Sequence, residues 1–154
     1  MKLEVVELKE LSCLLFEELV ALEEAAFGRG GLNEWTLPVV MQYGKIFILK
    51  RNEEISGIAE LIKYWQDPDS AFLINFSIKE AQRKKGLGKK FLAHILKNLQ
   101  NENIKKVCLT VSPSNVAAIN LYTKNYNFHQ IEFVKDEYGS GQDRLLLEID
   151  LGES

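Results

Sequence analysis

The chain has 154 residues, enough for one domain with a sizeable core and too few for two ordinary ones. Its 46% hydrophobic and 27% charged residues are those of a globular protein, and no apolar run reaches the ~18 residues of a membrane helix, so no membrane partner is expected. A formal net charge of −3 with one short basic run speaks against a nucleic-acid partner. Two His and two Cys without a Cys-x-x-Cys pair speak against a metal site.

The start, Met1-Lys2-Leu3-Glu4-Val5-Val6-Glu7, alternates apolar and polar residues like a strand and carries acids. It is read as a strand at about 2–8 rather than a signal peptide, and a cytoplasmic location is expected. An amphipathic helix follows at about 9–26, with Leu11, Leu14, Leu15, Leu19 and Leu22 on one side. Residues 27–44 read as a loop with a short second helix after Thr36-Leu37-Pro38. Strands come next at about 45–51 and 54–65, joined by a tight turn at Asn52-Glu53. Asp67-Pro68-Asp69-Ser70 predicts a turn into a strand at 71–79. Then follow a long helix at about 86–102, a strand at 105–112, a helix at 115–126, and strands at about 128–138 and 143–151 joined through Gly139-Ser140-Gly141. No repeat or linker divides this order, so residues 1–154 are expected to form a single domain of α+β class.

Chemistry concentrates where the fourth strand gives way to the long helix, at Arg83-Lys84-Lys85-Gly86-Leu87-Gly88-Lys89. Two glycines at such a junction let the backbone approach a ligand closely, and the amides and dipole of a helix N-terminus favour a phosphate. The spacing narrows the ligand. A P-loop would have Lys then Ser or Thr directly after its last glycine, and here Gly88 is followed by Lys89-Lys90. A dinucleotide fingerprint would have a third glycine at the position of Phe91. What remains, Arg-x-x-Gly-x-Gly after a strand, resembles the acyl-CoA pyrophosphate loop of the GNAT N-acetyltransferases. A second segment is similar to that family's other recurring motif, with Asn115, Ala118, Tyr122 and Phe128 in register. The family usually writes Leu-Gly before that Phe, where this chain has Tyr126-Asn127; Asn127 is expected to close the helix in the left-handed conformation as Gly would.

The resemblance implies a mixed, mostly antiparallel sheet, splayed between strands 4 and 5 and flanked by helices on both faces. It also implies acetyl-CoA as cosubstrate. Its pantetheine arm would lie on the backbone of Phe76 and Ile78, and its pyrophosphate on the amides of Arg83, Lys84, Lys85, Gly86, Leu87, Gly88 and Lys89. Asn115 would contact the arm or cap its helix. Tyr122 matches the general acid that protonates the departing thiolate. The general base is not identified: Ile74, Asn75 and Thr110 stand where family members carry acids, leaving Glu60, Asp67, Asp69, Glu34 or a water relay. Cys108 is a small packing residue rather than a nucleophile, and His94 projects about 130° away from its helix's apolar stripe. Tyr64, Trp65, Trp35 and Tyr138 either line an acceptor cleft or belong to the core.

Residues 1–75 hold 7 basic and 13 acidic side chains and residues 76–154 hold 12 and 9, which suits a phosphate-rich cosubstrate and a cationic acceptor. The expected activity is acetyl transfer to a primary amine by direct attack in a ternary complex. A small cationic amine is the first choice of acceptor. The stretch from Asp136 to Leu145 is loosely similar to the last hairpin of ribosomal-protein N-terminal acetyltransferases, so a protein N-terminus is the alternative. A non-catalytic acyl-CoA-binding module that regulates a partner is the rival from another class. Homodimers are common among proteins of this kind.

Overall fold

The structure, a computed structural model, describes residues 2–152. In chain order its elements are β1 (Leu3–Glu7), α1 (Cys13–Phe27), α2 (Leu37–Tyr43), β2 (Lys45–Arg51), β3 (Glu54–Tyr64) and β4 (Asp67–Ile78). They continue with α3 (Leu87–Asn101), β5 (Lys106–Val111), α4 (Val116–Lys124), β6 (His129–Val134) and β7 (Arg144–Asp150). The strands hydrogen-bond in the order β1-β2-β3-β4-β5-β7-β6. β1–β2, β2–β3, β5–β7 and β6–β7 are antiparallel, and β4–β5 is parallel. This is the mixed, mostly antiparallel α+β sheet that the sequence predicts.

The described residues form two compact units, 2–62 with 75–94 and 63–74 with 95–152. In the first, β2 and β3 are joined by Asn52 and Glu53, both left-handed at φ 52° and 72°, the twist a two-residue hairpin needs. Ser12 caps α1, its Oγ accepting from the Leu15 amide at 3.2 Å. Leu19 and Leu22 are buried, but Leu14 is 80% exposed, against the expected leucine stripe. Five positions before Leu19 is about 140° round a helix, so the two cannot share one face.

Successive residues of a strand project to opposite faces, and β4 shows what each face meets. The Asn75 amide reaches Glu23 of α1 at 3.4 Å, while the Phe76 ring stacks on Phe91 of α3 with centroids 5.3 Å apart. Helices therefore cover both faces of this unit. β3 approaches β4 closely at Gly57, where a Cβ would stand 2.9 Å from Ile78 Cδ1 and 3.0 Å from the Ser77 carbonyl oxygen.

In the second unit the parallel ladder runs from Ser70–Lys106 to Leu73–Leu109, and β5 pairs with β7 from Lys106–Asp150 to Val111–Leu145. Val107, Leu109, Leu147 and Ile149 are buried from these strands, and Ile95 and Leu99 from α3. The turn predicted at Asp67-Pro68-Asp69-Ser70 lies instead at Trp65-Gln66, and β4 starts at Asp67. The Asp69 carbonyl accepts the Lys105 amide at 2.7 Å, which draws the polar stretch into the sheet, and Pro68 is tolerated near a strand's first residue. Asn127 is not left-handed. α4 ends at Lys124 and the Phe128 amide reaches back to the Tyr122 carbonyl at 3.3 Å, so the turn closes without a left-handed cap.

Candidate active site

In the first unit, the end of β4 is fastened to the glycine loop. The Lys79 amide donates to the Ser56 carbonyl at 2.8 Å, and the Arg83 guanidinium donates from Nε to the Ile78 carbonyl at 2.8 Å. The Arg83 amide donates to the Glu80 carbonyl at 3.2 Å within a single 3-10 turn, so this N–H, expected at the pyrophosphate, already serves the turn. Beyond it Lys84 and Gly86 are left-handed, at φ 64° and 75°. Lys85 between them has no positive φ, and such a change of hand between neighbouring residues turns their amides toward one side, the geometry of a concave anion nest. Lys84, with a Cβ, holds that conformation at a cost of about 1 kcal/mol. Gly86 has open space where a Cβ would go, so its backbone angle rather than crowding favours glycine. Leu87 is buried and pins the first turn of α3, whose leading amides lack intrahelical acceptors. Lys84, Lys85 and Lys89 are exposed around the nest and Gly88 is half-buried. The donor set is that of a phosphate site: backbone amides in a concave turn at a helix start, ringed by ammonium groups.

The second unit holds the other motif. Asn115 is the N-cap of α4, its Oδ1 accepting from the Ala118 amide at 3.1 Å. Tyr122 is 6% exposed and meets Phe128 edge to face, centroids 5.3 Å apart. Burial pushes its phenol above the ordinary tyrosine range, and the positive Arg144 offsets only part of that. Arg144 donates from Nη2 to the Thr110 carbonyl at 3.0 Å and from Nε to Thr110 Oγ1 at 3.3 Å, and lies 5.4 Å from the Tyr138 ring centroid. Thr110, one of the positions where family members carry an acid, therefore faces a cation. Sequence reasoning gave Arg144 no role, because a lone Arg opening a strand has no signature.

Of the base candidates, Asp67 accepts from Ser70 Oγ at 2.7 Å and from the Asp69 amide at 3.2 Å, and Asp69 pairs with Lys105 at 4.0 Å. Glu34 lines an open cavity of about 570 Å³ in the first unit, with Val20, Glu24, Arg29 and Asn33. Glu60 is fully buried and neither carboxyl oxygen has a hydrogen-bond partner among the described residues. Glu23, passed over in the sequence because it sits in a run of helix formers, is also fully buried. Desolvation pushes it up to about 7, against the pull of the Leu32 amide and Asn75. Cys108 is half-buried, its thiol 3.5 Å from Glu148 Oε2, and burial with that neighbouring carboxylate pushes it up to about 11, which suits packing and not nucleophilic attack. Tyr64, Trp65, Trp35 and Tyr138 are all exposed and belong to no core.

A match to the family model described as Acetyltransferase (GNAT) family covers residues 14–128. An N-alpha-acetyltransferase of Sulfolobus acidocaldarius is 33% identical over 76 residues, 49% of this chain and 45% of that protein, so the match spans about half of each. The ribosomal-protein-S18-alanine N-acetyltransferase of Escherichia coli superposes with a TM-score of 0.83 at 20% identity, over 99% of this chain and 96% of that one. A Bacillus subtilis acetyltransferase solved in complex with CoA gives a TM-score of 0.78 at 20% identity, over 97% and 99%. With both motifs inside the matched stretch and a fold that superposes on solved acetyltransferases, the chain belongs to the GNAT acetyltransferase family.

Proposed function

We propose that the protein is an acetyl-CoA-dependent N-acetyltransferase of one domain acting on a primary amine. The observation that carries this reading is the nest between β4 and α3, with Lys84 and Gly86 left-handed, Leu87 buried beneath it and three lysines around it. Acetyl-CoA supplies an acetyl group activated as a thioester. The amides of Lys84 to Lys89 hold its pyrophosphate, and the β4 backbone at Phe76 and Ile78 takes the amides of its arm as an added strand would. Asn115 keeps its Oδ1 on the helix and presents its Nδ2 to the arm. Tyr122 protonates the departing thiolate; a phenol kept neutral by burial is a proton donor throughout the physiological range.

For the acceptor, the names of two relatives favour a protein N-terminal α-amine over the small cation suggested by half-chain charge. Both are primary amines, and Glu24 and Glu34 around the open cavity suit either. Thermal unfolding with acetyl-CoA, CoA, ATP and NAD at equal concentration tests the cosubstrate. A ligand at 100 times its dissociation constant adds about 2.7 kcal/mol, so the midpoint rises by several degrees with both CoA species and with neither nucleotide. A shift with ATP or NAD alone sinks the reading. Thiol release with polyamines and with peptides of free N-terminus then separates the acceptors, and a CoA shift without turnover identifies a binding module.

A further inference from the structure

The mechanism above has a proton donor for the thiolate but no acceptor for the amine's proton, since Asn75 and Thr110 are uncharged. Glu23 has the geometry for that task. It is 0% exposed, yet only one of its carboxyl oxygens is engaged by a side chain: Oε2 accepts from Asn75 Nδ2 at 3.4 Å, and Oε1 has no hydrogen-bond partner among the described residues. Asn75 also donates to the Gly30 carbonyl at 3.4 Å, tying β4, α1 and the following loop together. The loop is moulded on this residue, for a Cβ on Gly31 would stand 2.7 Å from the Glu23 carbonyl oxygen and 3.2 Å from its Cβ. Asn75 directly precedes Phe76, whereas the phosphate nest follows Ile78. An arm laid along β4 from the nest therefore ends its acyl group beside Asn75.

We propose that Glu23, held by Asn75, accepts the proton of the attacking amine through a water at its unengaged Oε1. This rests on the acetyltransferase reading. The ammonium gives one proton to the Glu23 carboxylate, and the neutral amine forms the C–N bond as the C–S bond breaks. The departing thiolate takes up one proton and the new amide nitrogen sheds one, so these two balance. Glu23 returns its proton to solvent once the products leave, which accounts for the single proton the reaction releases.

The surroundings leave Glu23 room to titrate. Neighbouring α1 and loop residues Glu24, Arg29 and Glu34 line the open cavity. α2 contains no charged residue. β4 offers uncharged Asn75 and Ser77 on this face. On β3, Gly57 points toward Phe91, so alternation puts Glu60 on the α1 face, with both oxygens unpartnered among the described residues. Burial that places Glu23 at about 7 gives a base matched to neutral pH.

The test compares the parent with E23Q and E60Q, using a peptide with a free α-amine or the amine that the panel selects. Glutamine keeps the Asn75 and Leu32 hydrogen bonds, so a purely structural role predicts little change. The expected result is a loss of at least about 100-fold in kcat/KM for E23Q near pH 8. The parent-to-E23Q ratio, in which the acceptor's own titration cancels, should shrink about tenfold per pH unit below 7. The CoA-induced melting shift of E23Q stays that of the parent, and E60Q keeps the parent's pH profile. E23Q within threefold of the parent at all pH values overturns the proposal alone, as does loss of the acid limb in E60Q instead. A parent that is stabilised by CoA but acetylates no amine overturns the transferase reading and the proposal together.

Discussion

The Arg83 guanidinium closes back onto the Ile78 carbonyl at 2.8 Å, binding the end of β4 to the loop that follows it. A charge-assisted hydrogen bond of this kind is worth about 1.5–3 kcal/mol, and here it sets where the nest begins. Arg83→Ala should raise the dissociation constant of CoA about tenfold, with Arg83→Lys recovering only part of it because an ammonium lacks the rigid fork. Calorimetric titration of CoA checks this. An unchanged constant would mean that Lys84 and Gly86 hold the loop unaided.

Tyr122→Phe removes one oxygen from a packed, edge-to-face pair and leaves the ring in place. We expect kcat to fall by about 10²-fold or more, with the acceptor KM within a factor of two. Since burial raises the phenol, the parent should show no alkaline loss from this group up to about pH 10. An alkaline limb near 8 that vanishes in Tyr122→Phe would contradict that environment.

Glu23 also leaves a mark on stability. Its ordinary value of 4.5 is raised to about 7 in the fold, so between these values the native state binds more protons than the unfolded one. Stability from this group is complete below about pH 4.5 and is lost as pH rises through 7, a change of about 3 kcal/mol. Glu23→Gln cannot lose a proton, so its melting midpoint relative to the parent should climb between pH 4.5 and 7.5. A difference that stays flat would show that Glu23 is charged in the fold at pH 5.

Gly57→Ala would place a methyl group 2.9 Å from Ile78 Cδ1 and 3.0 Å from the Ser77 carbonyl. Backbone cannot yield as a flexible side chain can, so a loss of about 1–3 kcal/mol is expected from denaturant unfolding. CoA affinity should fall with it, because β4 is the strand displaced.

The two thiols should separate cleanly. Cys13 is exposed, whereas Cys108 is half-buried and pushed up to about 11. At pH 8 a disulfide reagent should titrate one thiol quickly, and Cys13→Ser should abolish that phase. Two fast thiols would mean that β5 opens readily.

The parts of the fold written in local chemistry were legible from sequence. The Asn52-Glu53 turn, the Asn115 cap and the strand-to-helix glycine loop each depend on residues within a few positions of one another. Motif spacing likewise put Tyr122 on a helix, and it lies buried on α4. What escaped depended on distant partners. Asp69 joins a strand because the Lys105 amide meets it, and Leu14 is exposed because other residues of α1 face the core. Glu23 and Arg144 have no sequence signature; their chemistry comes from Asn75 and Thr110, each more than thirty positions away.

The ladder between β4 and β5 has a bearing on how the chain reaches its folded state. Arg51 finds Glu54 three positions on, so the β2–β3 hairpin can close in microseconds. Ser70 must instead wait for Lys106, 36 positions away, to arrive in the same direction with a whole helix spanning the gap. Such closure costs chain entropy before any contact rewards it, which makes the parallel pair a late event and a natural rate limit. Destabilising changes at Leu73 or Leu109 should then slow refolding and leave the unfolding rate nearly unaltered.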